Sequence, residues 1–193
     1  FQVISPSIGD NCEEAGFCRV ERPGVAFEHT LFVDTNKVWE RATARGINQG
    51  FRAKGFAFGE EIPDGGTLAN DIFVDWYGQI SARWQYDDDT ASYLRYTDSV
   101  PHFDAADEEQ IWTNNLVIIE VEHIDRPDLF EAGASNASIE IDLNDQGRAI
   151  LIRDGQAYQG FWRRPDNDPG TAPQLIAGDG TPLKMRPGRT WVS

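Results

Sequence analysis

The sequence has few basic residues and no long apolar run. Its 193 residues include 17 Lys and Arg against 32 Asp and Glu, which gives a formal net charge of −15 at pH 7. Such a chain repels a phosphate backbone, so the composition argues against nucleic acid as a partner. An anionic lipid surface is disfavoured for the same reason. No window of about 18 apolar residues occurs, so we expect no transmembrane segment in this chain.

Sulfur-containing residues are also scarce. Cys12 and Cys18 are the only cysteines. A metal site would need more ligands nearby, and only acidic residues are there. We therefore expect a disulfide, with two free thiols as the alternative, and a disulfide would place the protein outside the cytoplasm. The chain begins at Phe1 and its one methionine is Met185, so we expect an upstream segment that was removed or is not represented.

The pattern of apolar residues predicts a mainly β protein with one helix near the front, α+β overall. In residues 147–162, two apolar runs are joined by Asp154-Gly155, a dipeptide that tolerates the positive φ of a tight hairpin turn. Residues 116–121 are aliphatic except for Glu120, and such a run is typical of a central strand buried on both faces. Short period-two segments separated by turns predict an antiparallel sandwich or a rolled sheet.

Residues 35–45 are the best candidate for a helix. Asp34 or Thr35 can cap its start, and Gly46 stands where it would end. Trp39 lies on the apolar stripe of this helix, so we predict that it belongs to the core. The spacing of apolar residues changes to period two near residue 70. This change predicts a mixed α/β part, residues 1–70, and an all-β part, residues 71–193.

Several short motifs between residues 79 and 191 occur in the order and spacing of a bacterial family. They are Trp84-Gln-Tyr-Asp87 with Tyr93-Leu-Arg95, Pro101-His-Phe-Asp104, Asn115-Leu-Val-Ile118, Asp142-Leu with Gly147-Arg-Ala, Arg153-Asp-Gly155 with Gly160-Phe-Trp-Arg163, and Pro187-Gly-Arg-Thr-Trp191. As a set they resemble the C-terminal domain of the YerB-like bacterial lipoproteins, whose two domains have no known function. Residues 28–58 resemble the end of that family's N-terminal domain.

The resemblance implies an exported protein of the cell envelope. Members are often lipid-anchored at a cysteine, which would lie upstream of the residues present here. The resemblance implies no catalysed reaction, and the pair Cys12 and Cys18 is not part of the shared pattern.

His102 and Asp104 are the strongest candidates for catalysis. On a strand, residues two apart face the same way, and a histidine with a carboxylate can support acid–base chemistry or hold a metal ion. The alternative is that both side chains bond to backbone groups and shape a turn. The sequence contains no Gly-x-Ser-x-Gly, phosphate loop, zinc-ligand spacing or dinucleotide glycine pattern.

A second group of acidic residues begins at Glu120. Glu120 and Glu122, with His123 and Asp125 just beyond, could form a carboxylate pair for glycoside cleavage or a cation site. The alternation with Val121 is equally typical of the solvent face of a strand.

Residues 142–147 partly resemble a calcium loop. Asp142 and Asn144 occupy the first and third positions and Gly147 the sixth, but Arg153 stands at the twelfth, where a glutamate is required. We therefore predict that this segment forms a turn and that the protein has no cofactor. The alternative is that the segment binds Ca²⁺. The sequon Asn136-Ala-Ser138 is a candidate glycosylation site.

These observations favour an extracytoplasmic protein of the cell envelope or surface with a non-catalytic binding or structural role. The expected partner is a protein, a second copy of the chain or a wall polymer. The alternative is a hydrolase of envelope glycan or peptide that uses His102 and Asp104 or a carboxylate pair. An apolar patch on the folded surface would favour binding. A deep cleft that holds a carboxyl group of raised pKa would favour hydrolysis.

Overall fold

The chain divides by its internal contacts into two compact units, Phe1–Arg52 and Ala53–Ser193. The computed structural model describes residues 4–5, 11–50, 54–76, 78, 80–130, 137–166 and 171–193. In these ranges, no helix is both long enough and apolar enough to cross a bilayer.

The first unit contains short elements. Its helices are α1 (Cys12–Ala15) and α2 (Thr35–Ala44), with a 3-10 helix at Phe27–Thr30 between them. Strand β1 (Phe17–Arg19) pairs antiparallel with β2 (Leu31–Val33).

The predicted helix and disulfide are both present in this unit. The Asp34 side chain accepts a hydrogen bond from the Asn36 N–H at the start of α2, and Gly46 follows the helix with a φ of 66°. Cys12 and Cys18 are joined by a disulfide, which confirms the expected pairing.

The prediction that Trp39 belongs to the core is wrong. Its side chain is 62% exposed. The buried residues in the described part of this unit are all small, namely Ala15, Gly16, Thr30 and Ala42. The described residues of so short a unit bury small side chains and do not enclose an indole ring.

The second unit consists of strands. Their bounds are β3 Ala57–Phe58, β4 Thr67–Leu68, β5 Asp71–Trp76, β6 Ile80–Asp87, β7 Ser92–Thr97, β8 Val100–Pro101, β9 Trp112–Thr113, β10 Asn115–Ile119, β11 Glu122–Phe130, β12 Ala137–Asp142, β13 Gln146–Arg153, β14 Gln156–Arg163, β15 Gln174–Ile176, β16 Lys184–Met185 and β17 Thr190–Val192.

Two larger sheets and two isolated strand pairs result. The central sheet has the order β15-β14-β13-β10-β17, and β4 also pairs with β14. The second sheet has the order β5-β6-β7-β8, with β9 paired to β7. Strands β11 and β12 pair with each other, as do β3 and β16. The mainly β, α+β fold class is confirmed, although β10–β17 and β3–β16 are parallel pairs among mostly antiparallel ones.

The hairpin of β13 and β14 is the centre of the fold. Arg153 pairs with Gln156, so Asp154 and Gly155 form the whole turn, with φ values of 51° and 72°. Both values are positive, as a type I′ turn requires. The predicted hairpin is confirmed.

The core has one hydrophobic cluster on each face of the central sheet. The first cluster contains Val117, Ala149, Leu151, Tyr158, Trp162, Leu175, Leu183 and Met185. The second joins Trp84 and Tyr93 of the second sheet to Leu116 and Ile152 of the central sheet. The two sheets therefore pack face to face as a sandwich, and β10 buries Leu116 on one side and Val117 on the other, as predicted.

The contact-based units differ from the division that the sequence suggests near residue 70. Strand β3 pairs with β16 and β4 pairs with β14, so residues 57–68 supply strands to the second unit. Whether residues 71–193 form a domain by themselves stays a prediction.

Candidate functional site

The second sheet covers only part of one face of the central sheet. Side chains of a strand alternate between faces, so Arg148, Ile150 and Ile152 all lie on this face. Ile152 is buried beneath Trp84 of the second sheet, whereas Arg148 is exposed. The uncovered part begins at Ile150.

Cross-strand register defines this uncovered surface. Ile118 stands opposite Ile150, which stands opposite Gln159 on β14. In the next row, Arg148 stands opposite Phe161, whose side chain is 46% exposed. We call the surface formed by these residues and Glu120 the open half of the central sheet; its members are Ile118, Glu120, Arg148, Ile150, Gln159 and Phe161.

A shallow groove runs over the open half. It has a volume of about 520 Å³, and its lining includes Ile118, Ile150, Gln159, Arg148 and Glu120. A second depression of about 420 Å³ adjoins it at Arg148 and Phe161. The groove thus has an apolar floor and a charged rim, which suits binding of an amphipathic surface.

The charged rim is an ion pair. Arg148 Nε lies 2.5 Å from Glu120 Oε2, and this hydrogen bond, with the charge of the guanidinium, holds the pKa of Glu120 below its usual value. Both side chains are exposed, so the pair adds little to stability. It supplies one charge of each sign at the edge of the groove.

Glu120 is positioned through its backbone. Its N–H donates to the Arg148 carbonyl at 2.9 Å, and its carbonyl accepts from Trp162 Nε1 at 2.7 Å. The close approach of Trp162 to the Glu120 carbonyl depends on a glycine at position 147. A Cβ on Gly147 would lie 2.2 Å from the Glu120 carbonyl oxygen and 2.6 Å from Trp162 Nε1.

His102 and Asp104 lie in a turn of the second sheet. His102 Nδ1 is 3.1 Å from Thr97 Oγ1, and its backbone bonds to Arg95 and Ile111. Asp104 Oδ1 accepts from the Ala106 N–H at 2.8 Å. Among the described residues no hydrogen bond joins His102 to Asp104. Asp104 has the side-chain bond to a backbone group that the alternative to catalysis predicts, whereas the His102 ring bonds to the Thr97 hydroxyl.

The acidic residues after Glu120 are distributed along β11. Glu122 stands opposite Asp142, His123 opposite Ile141, and Asp125 opposite Ile139. For the described carboxyl groups whose pKa is displaced, namely Asp71, Glu120, Asp128 and Asp179, the pKa is lowered by hydrogen bonds. A general acid would need a raised pKa.

Asp142 and Asn144 bond to each other. Asp142 Oδ1 accepts from the backbone N–H of Asn144 at 2.8 Å and from its Nδ2 at 3.0 Å. In the described ranges no group of three or more His, Cys, Asp or Glu side chains could hold a metal ion. Asn136 of the sequon lies outside the described residues.

Three tyrosines in or beside the core have raised pKa values; the other described groups with raised pKa values are the ion-paired arginines Arg83, Arg126 and Arg148. Burial raises the pKa of Tyr93, Tyr86 and Tyr158. Tyr93 and Tyr158 donate to the carbonyls of Ala69, at 3.2 Å, and Pro63, at 2.9 Å. These contacts are structural and do not open onto the groove.

The open half was not predicted from the sequence. The apolar runs of the hairpin give no reason to expect that the face with Ile150 and Phe161 is partly uncovered. Alternation in β13 and β14 places these residues on one face, but the extent of the second sheet over that face depends on long-range packing.

These features define a β-sandwich domain with an accessible apolar sheet face, an architecture that by itself does not specify a function. Residues 72–192 match the family described as "Protein of unknown function (DUF3048) C-terminal domain". The chain belongs to this family, which confirms the predicted YerB-like relationship.

A solved structure supports the same fold. The YerB protein from Bacillus subtilis superposes with a TM-score of 0.64 at 18% sequence identity, over 91% of this chain. The chain spans 55% of that protein's length. A search of curated proteins found no match.

Proposed function

We propose that this chain is a non-catalytic binding domain of an extracytoplasmic protein of the cell envelope or surface. The observation that carries the proposal is the open half of the central sheet. The half-buried Ile118 and Ile150 and the exposed Phe161 form an accessible apolar surface beside the Glu120–Arg148 ion pair. An apolar patch with a polar rim is characteristic of a protein interface, so a protein is the proposed partner.

The location outside the cytoplasm is part of the proposal. It is supported by the disulfide between Cys12 and Cys18, because such bonds persist in oxidising compartments. In the whole protein, the proposal includes a lipid anchor upstream of the residues present here.

Crosslinking in cells that produce the full-length protein would test the binding surface. A photoreactive amino acid replaces Phe161 in one strain and Val100 in another. Val100 is 64% exposed on the second sheet and does not belong to the open half. We expect a discrete protein adduct from position 161 and none from position 100, and we expect Arg148→Glu to weaken the adduct by placing two like charges at the rim.

The identity of the adduct separates the possible partners. An adduct with a different protein supports the proposal directly. An adduct with a second copy of the chain indicates self-association, and an adduct with glycan indicates that the partner is a wall polymer. Equal adducts at positions 161 and 100 would contradict the assigned surface. Release of soluble fragments from purified wall material by the protein, lost in His102→Ala, would contradict the non-catalytic role.

A further inference from the structure

The pair of strands β11 and β12 is the least supported part of the second unit. We call these strands, Glu122–Phe130 and Ala137–Asp142, the hairpin arm. In the described part of the chain they pair only with each other. A two-stranded pair is marginally stable by itself in water, and a third strand or a packed face is normally needed.

The arm exposes apolar side chains that a monomer would ordinarily cover. Ile139 and Ile141 of β12 are 58% and 55% exposed, and they lie on the same face because they are two residues apart. Strand β12 contains no proline and no glycine, whereas β11 has Pro127 where its register shifts. Of the two outer edges, β12 is therefore the better template for another strand.

The charges of the arm determine which strand would fit. Its residues include five acidic side chains and one arginine, Arg126. Arg126 is already paired with Asp128 and Glu140. Glu122 and Asp142 stand directly opposite each other, and neither belongs to the described ion pairs; like charges in that position destabilise a strand pair.

The same charges disfavour a second copy of β12 as the added strand. Its sequence Ala-Ser-Ile-Glu-Ile-Asp has no basic residue. An antiparallel copy centred on Glu140 would place Glu140 opposite Glu140, and a parallel copy in register would do the same. A basic strand, in contrast, would bring positive charges to Glu140 and Asp142 and apolar residues to Ile139 and Ile141.

From this we infer that the outer edge of β12 binds an extended segment of a protein partner in which basic and apolar residues alternate. The segment adds as a third strand of the arm, so its main chain supplies hydrogen bonds while its side chains supply selectivity. This surface is distinct from the open half, so the proposal for either surface can fail without affecting the proposal for the other.

A synthetic peptide with the repeat Lys-Ile-Lys-Ile is the direct probe. A scrambled peptide of the same composition, Lys-Lys-Ile-Ile in blocks, controls for general attraction to a chain of net charge −15, and a Glu-Ile repeat controls for charge. We expect binding of the Lys-Ile repeat, with new protection from hydrogen exchange at the amides of residues 138–141. Equal binding of the scrambled peptide, or protection confined to other strands, would overturn the inference.

Charge reversal tests the recognition on the protein side. Glu140→Lys with Asp142→Lys should weaken binding of the Lys-Ile repeat about tenfold and should create binding of the Glu-Ile repeat. Asp88→Lys with Glu109→Lys makes the same change in net charge at exposed positions away from the arm, and it should leave both affinities nearly unchanged. Equal weakening by the two double variants would show that only net charge matters and would overturn the inference.

Discussion

At the scale of single residues, Arg153 shows how a charge can belong to the core. Its side chain is fully buried at the end of β13. Nη1 donates to the carbonyls of Gly59 and Lys184 at 2.8 and 2.9 Å, and Nε donates to Asp154 Oδ2 at 2.6 Å. Alternation places Arg153 on the face of Leu151, but its two carbonyl acceptors lie far away in the sequence, so the burial of this residue could not be predicted.

Replacing Arg153 should therefore be costly. Arg153→Met removes one of the two described arginines that pair with Asp154, and it removes the donor to the Gly59 and Lys184 carbonyls. We expect a loss of about 3–5 kcal/mol in the free energy of unfolding, measured by urea denaturation followed by circular dichroism. Arg148→Met is the matched control, because Arg148 is an exposed arginine on the same strand, and its midpoint should remain close to that of the wild type. Equal midpoints for the two variants would show that the contacts of Arg153 are not stabilising.

At the scale of secondary structure, local chemistry predicted some elements well. The turn at Asp154-Gly155 and the cap at Asp34 both follow from short-range preferences, and both were predicted from a few residues. Trp39 shows where the same approach fails, because the apolar stripe of a helix does not say whether anything covers it.

The turn makes a specific prediction for Gly155. A Cβ at this position would lie 2.9 Å from Asn70 Oδ1 and 3.2 Å from the Tyr86 ring, and the backbone has a φ of 72°. Gly155→Ala should lower the free energy of unfolding by about 1–3 kcal/mol, measured by thermal and urea denaturation.

Gly178 provides the control for this substitution. A Cβ at this position would have no described atom within 4 Å, and the backbone does not have a positive φ. Gly178→Ala should be neutral or should stabilise by up to about 1 kcal/mol, because alanine restricts the unfolded chain. If Gly155→Ala were as harmless as Gly178→Ala, the strain and crowding at the turn would be disproved.

At the scale of the whole molecule, the position of the division between the units can be tested by truncation. A fragment of residues 53–193 keeps β3 and β4. It also keeps three carbonyls that accept hydrogen bonds from buried side chains, those of Gly59, Pro63 and Ala69. Residues 71–193 lose all of them. Each buried donor left without an acceptor costs about 1–3 kcal/mol.

We therefore expect residues 53–193 to fold cooperatively and residues 71–193 to unfold at a clearly lower temperature. Circular dichroism melts and the dispersion of amide signals in NMR spectra would measure the difference. Equal melting temperatures for the two fragments would instead support the division near residue 70 that the sequence suggests.

The sequence by itself determined those features that depend on neighbouring residues. Period-two alternation predicted a mainly β fold, the aliphatic run before Glu120 predicted a doubly buried strand, and the spaced motifs predicted the family. Such features need only local backbone preferences and the burial of apolar side chains, which the order of residues contains directly.

Only the tertiary structure decided the candidate sites. The open half exists because the second sheet leaves Ile150 and Phe161 partly uncovered, and the hairpin arm is prominent because β11 and β12 pair with no other described strand. Both depend on which distant segments pack together and how far they extend. A residue's own type and its neighbours do not determine that outcome, because the same apolar residue serves a core or a binding surface according to what covers it.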